Sequence, residues 1–137
     1  MKRTMQLVIG LVGLLNIVMG MSFLFNPTKM AGEFALSPLG TQGMATMRAD
    51  FPAFFLTGAV FSLIGAWRAD RLALTVPLTL LTFALLGRFI SIAIDGTAPT
   101  TIPPMIVEAA MIALLVLAYY AYGKPPQRAA NATTVSS

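Results

Sequence analysis

Apolar residues in this chain fall into four long runs separated by short polar breaks. The runs extend from about Thr4 to Phe25, Met47 to Trp67, Leu72 to Ile94 and Pro103 to Tyr122. Each is close to the roughly 20 residues that an α-helix needs to cross the hydrocarbon core of a bilayer. As core helices of a water-soluble protein, four such runs would leave almost no polar face for solvent. The pattern predicts an all-α protein, an integral membrane four-helix bundle. A cleavable signal is the rival reading of the first run, because Lys2 and Arg3 precede it. The run is longer than a signal's apolar region and no small-x-small site follows, Lys29 and Ala31 making a poor pair, so it is read as a retained helix.

The breaks carry local signals of their own. Asn26-Pro27 suits a helix start, and Thr28 to Leu36 then reads as a short amphipathic helix lying at the outer membrane surface, stopped by Ser37-Pro38. Met30 and Phe34 share one of its faces, Lys29 and Glu33 another. Leu39 to Thr46 reads as a loop, with Thr46 capping the second span. Arg68-Ala-Asp-Arg71 is a tight charged turn, and Asp95-Gly96 closes the third span with a residue suited to a left-handed cap. Pro52 and Pro77 are expected to kink their helices. The transmembrane domain is expected over residues 1–123 and a disordered cytoplasmic tail over 124–137. In that tail the match of Asn131-Ala-Thr133 to a glycosylation site would be accidental.

Composition narrows the chemistry. The chain is 57% hydrophobic and 10% charged, far below the roughly 25% charge of soluble domains. It has no cysteine and no histidine. That removes disulfides, thiolate and imidazole metal ligands, and nucleophiles that depend on histidine. No metal and no cofactor is expected. The net charge of +4 marks topology rather than nucleic-acid binding. Lys2, Arg3, Arg68, Arg71, Lys124 and Arg128 fall on one side of the membrane, against Lys29 and Arg48 on the other. The positive-inside rule puts both termini in the cytoplasm and the 26–46 and 95–104 segments outside.

Five ionisable residues remain that topology does not explain: Arg48, Asp50, Arg88, Asp95 and Glu108. Arg48 and Asp50 open the second span on the outer side. Arg88 precedes the outer end of the third by six residues, roughly 9 Å at the rise of a helix, and Glu108 enters the fourth to a similar depth. Asp95 sits at the mouth. All five therefore belong to the outer half of the bundle, where a lone charge costs about 3 kcal/mol or more and is kept by pairing or by a wet cavity. Arg88 can offer its planar fork to Glu108 or to Asp50; helix order, which the sequence leaves open, decides between them. Asn16 on the first helix can reach the cluster or bond a neighbouring helix. Phe54 and Phe55 are candidates for an apolar wall. Gly10, Gly13, Gly20, and Gly58 with Ser62, suit close helix contact.

The segment Arg48-Ala-Asp50-Phe51, the stretch Leu86-Gly87-Arg88 with Ser91 and Asp95-Gly96, and Glu108 early in the last helix resemble the DUF4345 family, bacterial four-helix membrane proteins of uncharacterised function. The resemblance covers about residues 5 to 122. It implies the four-helix topology, a place in a bacterial inner (cytoplasmic) membrane, and a single unit formed by Arg48, Asp50, Arg88, Asp95, Gly96 and Glu108. It implies no activity.

The function expected from these residues is binding of a lipophilic small molecule at a charged outer-leaflet site, with acid–base isomerase or cyclase chemistry as its extension. Glu108 and Asp50 are the candidate acid and base, Arg88 and Arg48 the candidate electrostatic stabilisers. Asp95, Asn16, Phe54 and Phe55 are candidate ligand contacts. The alternative is a non-enzymatic scaffold or accessory subunit whose charges order the bundle; a channel or transporter ranks last, since the charges line no full path. Expected partners are membrane lipids and the lipophilic molecule, with a homo-oligomer or a membrane partner protein left open, and no nucleic acid.

Overall fold

A computed structural model of the chain describes residues 1–123. The expected tail over 124–137, with Lys124, Arg128 and the Asn131 sequence match, lies outside the described residues. Five helices follow in order: α1 (Lys2–Phe25), α2 (Pro27–Glu33), α3 (Gly40–Arg68), α4 (Thr75–Asp95) and α5 (Ile102–Ala121). Among the described residues there is no strand. α1, α3, α4 and α5 are each long and apolar enough to cross a membrane.

Helix ends differ from the hydropathy reading where local hydrogen bonds act. α3 begins at Gly40, not at Met47. Residues 40–46 are too polar to register as a span, yet they continue the same helix, and Thr46 is an interior residue rather than a cap. At 29 residues the helix is about 43 Å long, more than a ~30 Å core requires. α4 starts later than expected, at Thr75 rather than Leu72. The Asp70 carboxylate accepts the Leu72 N–H at 2.8 Å, which holds the chain in a turn through Leu74. Pro77 consequently falls in the first turn of α4, where its missing N–H leaves no gap; the expected kink has no cause there. Pro52 is different. It lies inside α3 and cannot donate to the Arg48 carbonyl.

The short surface helix was expected over Thr28 to Leu36 and spans Pro27–Glu33. It ends in a Schellman motif: Leu36 N–H reaches Ala31 O at 2.8 Å and Ala35 N–H reaches Gly32 O at 3.3 Å, with Ala35 forced to a left-handed φ of 53°. Lys29 and Glu33 form the i,i+4 pair on its outer face at 3.7 Å. Met30 and Ala31 are buried on the other face. α3 closes in the same left-handed way at Ala69, φ 49°, and Gln6 of α1 donates to the Ala66 carbonyl at 2.8 Å.

The four long helices form a ring in the order α1, α3, α4, α5, so that α1 faces α4, and α3 faces α5, across the diagonal. α1 and α3 make the most extensive contact. Glycines allow it: a Cβ on Gly13 would stand 2.8 Å from Leu63 Cγ, and one on Gly20 would stand 2.7 Å from Leu56 Cγ. Gly10 faces open space instead.

The two ends of the bundle are packed differently. At the end that carries the N-terminus and the 69–74 turn, one core joins all four long helices through Ile9, Ala66, Leu74, Leu81, Leu115, Ala118 and Tyr122. At the α2 end the buried cluster is Phe23, Met30, Ala31 and Met47, with Met19, Phe34, Phe51 and Phe55 against it. Those residues belong to α1, to α2 with its C-cap Phe34, and to α3. Phe23 is fully buried and stacks on Phe51 at 4.5 Å and Phe55 at 5.7 Å, with Phe34 edge-on at 5.0 Å. The α4–α5 layer shares no residue of this second core. The bundle is thus closed at one end and divided into two layers at the other.

Candidate functional site

The space between the layers is a cavity of about 520 Å³. Each helix contributes a stripe at helical spacing. Leu15, Asn16 and Met19 come from α1, Asp50, Phe51, Phe54 and Phe55 from α3, Leu81, Ala84 and Arg88 from α4, and Pro104, Val107, Glu108 and Met111 from α5; Phe34 closes the α2 end. On α4 and α5 the stripes are separated by three, four and seven residues, the spacing that keeps side chains on one face.

Arg88 and Glu108 meet across the α4–α5 contact. Arg88 Nε donates to Glu108 Oε1 at 2.9 Å and Oε2 at 3.0 Å. α4 neighbours both α3, which carries Asp50, and α5; helix order therefore allows either partner, and the facing of α4 toward α5 at this level selects Glu108. The Glu108 side chain is only 12% exposed, that of Arg88 35%. Only Nε is engaged, so the two terminal amino groups of the guanidinium donate to no other described residue.

Asp50 lies across the cavity on α3. It is one of the lining residues of the cavity, is exposed, and is paired with no cation among the described residues. Arg48 is two positions away on the same helix, and residues so spaced do not face each other. Asn16 is buried, and its Nδ2 donates to the Val12 carbonyl at 2.9 Å. That back-bond turns Oδ1 toward α3, where a Cβ on Gly58 would be 3.7 Å away. Oδ1 accepts no hydrogen bond from the described residues.

Among the candidate residues, Asp50, Arg88, Glu108, Asn16, Phe54 and Phe55 are brought to one cavity. Arg48 and Asp95 are not. Arg48 is exposed on another face of α3, and Asp95 is exposed at the end of α4, where its Oδ2 accepts from Ser91 Oγ at 2.8 Å. Sequence reasoning passed over Phe51 and Met111 as site residues. Their signal was spacing: Phe51 precedes Phe54 and Phe55 by three and four residues, and Met111 follows Glu108 by three. Among the described residues no group of Asp and Glu side chains is arranged to hold a metal ion.

The chain matches the profile of DUF4345, a domain of unknown function, over residues 4–119. The chain belongs to the DUF4345 family. The matched region takes in α3 and α4 whole, all but the outermost residues of α1 and α5, and every cavity-lining residue, so the site is built entirely within the DUF4345 domain. No curated protein of known function and no solved structure matches the chain.

Proposed function

We propose that this DUF4345 protein is a multi-pass protein of the bacterial inner membrane, with its N- and C-termini in the cytoplasm, and that its cavity binds a lipophilic small molecule from the outer leaflet. The observation that carries the reading is the division of the bundle at its α2 end. A cavity walled by Phe, Leu and Met is also lined by four polar side chains, Asn16, Asp50, Arg88 and Glu108, and that combination of apolar lining with a few polar groups is the usual make-up of a small-molecule site. The exposed apolar side chains of the four long helices, among them Leu7, Leu11, Phe83, Ile94 and Leu117, suit contact with lipid. The distribution of Lys and Arg supports the orientation.

Acid–base chemistry on the bound molecule is the extension of this reading. Both oxygens of Glu108 are engaged by Arg88, which leaves Asp50 as the carboxylate free to exchange a proton with a ligand. The terminal amino groups of Arg88 are placed to stabilise negative charge that develops on it. The test is to purify the protein in a mild detergent and identify copurifying molecules by mass spectrometry, with Glu108→Gln and Arg88→Ala alongside. A stoichiometric lipophilic molecule retained by the parent and lost in either variant is the expected result. No specific molecule in any of three equally folded samples would sink the proposal.

The second reading, a scaffold subunit, is favoured by one observation. Arg88 and Glu108 join α4 to α5 at the end where these helices lack a share of the core, a purely architectural role.

A further inference from the structure

The charge around the cavity does not balance. Arg88 is matched by Glu108 at 2.9 Å, and Asp50 adds a second carboxylate with no cation to meet it. The other charged side chains near this end are already engaged or turned away: Lys29 pairs with Glu33, Asp95 bonds Ser91, and Arg48 lies on another face of α3. The cavity therefore carries one formal negative charge against an apolar wall. Asp50 is itself exposed, so its carboxylate is open to a ligand entering the cavity, and an opposite charge on that ligand is the complement it lacks. An anion placed at Arg88 would instead raise the local charge to two.

We infer that the ligand of this cavity is a monovalent lipophilic cation, an ammonium or protonated amine on an apolar body, with its head at Asp50. The inference rests on the binding function proposed above and names its ligand class. The aromatic wall of Phe51, Phe54 and Phe55 adds ring surfaces of the kind that attract cations. A volume of about 520 Å³ suits one molecule of drug-like size.

The test uses three amphiphiles with the same twelve-carbon chain and different heads: dodecylammonium, dodecanol and dodecanoate. The full chain in a mild nonionic detergent is titrated with each, and bound complexes are counted by native mass spectrometry. Dodecylammonium is expected to form a one-to-one complex at least tenfold tighter than dodecanoate. Asp50→Asn, at a side chain outside the packed core, is expected to weaken that complex at least tenfold. Glu33→Gln, which removes a carboxylate outside the cavity, is expected to leave it unchanged. Tighter binding of dodecanoate, or full retention of dodecylammonium by Asp50→Asn, would overturn the cation assignment and leave the binding function standing. Absence of a saturable complex with all three would overturn both.

Discussion

Removing the Arg88–Glu108 pair one partner at a time, and then both together, separates its energetic parts. Arg88→Met leaves the Glu108 carboxylate, 12% exposed, facing an apolar wall without its cation. Loss of one partner from a fully buried pair costs about 3–5 kcal/mol. Here the Arg88 side chain is 35% exposed, so water in the cavity relieves part of the loss, and about 2 kcal/mol is expected. Glu108→Met leaves the more exposed partner and is expected to cost about 1 kcal/mol by the same reasoning. The double substitution removes both desolvation penalties and replaces them with an apolar contact between α4 and α5. Its cost is expected within about 1 kcal/mol of the parent, which makes the interaction energy of the cycle about 2–4 kcal/mol in favour of the pair. Equilibrium unfolding in mixed micelles of rising dodecyl sulfate content, followed by far-ultraviolet circular dichroism, measures all four proteins. An interaction energy below about 0.5 kcal/mol would refute the reasoning, since it would mean that the pair is solvated as a surface pair is.

Other substitutions test the packing. Gly65→Ala places a methyl group onto Leu74, which is fully buried in the core that joins all four long helices; a loss of about 1–3 kcal/mol is expected in the same unfolding assay, whereas Gly10→Ala, facing open space, should gain about 0.5–1 kcal/mol from helix propensity. Ala69→Gly relieves the left-handed φ of 49° at the end of α3 and should raise stability by about 0.5–1 kcal/mol; a loss would mean that the Ala69 methyl packs more than it strains. The Ser62 hydroxyl is buried with no partner among the described residues, so Ser62→Ala should stabilise by about 1 kcal/mol. A destabilised Ser62→Ala would instead place a water in the adjoining small void, which Ser62 lines together with Asn16.

The two-layer architecture explains why the polar groups gather where they do. A buried charge is tolerated beside a partner or a cavity, and the α2 end offers a cavity of about 520 Å³. The closed end is filled by Ile9, Leu74 and Leu115, all fully buried, and among the described residues its wholly buried polar side chain is the small Ser62. The hinge between these regimes is Leu81, which belongs to the shared core and also lines the cavity.

Four long apolar helices were legible in the sequence because hydropathy over some 20 residues depends on composition alone. The short helix after Pro27 was legible for a local reason as well, its i,i+4 pattern of Met30 with Phe34 and Lys29 with Glu33. The early start of α3 was not, because residues 40–46 are polar and helical continuity leaves no hydropathy trace. The late start of α4 was hidden because it depends on one hydrogen bond, from the Leu72 N–H to Asp70. Depth could be read along each helix, and Asp50, Arg88 and Glu108, placed at similar depth, line one cavity. Rotation and neighbour order could not, and these decide which charges meet. α4 lies between α3 and α5 in the ring, and it is the rotation of the helices that pairs Arg88 with Glu108 and leaves Asp50 across a cavity. Arg48 and Asp95 share that depth but point elsewhere, since depth follows from distance along the chain while the direction a side chain faces follows from how whole helices pack.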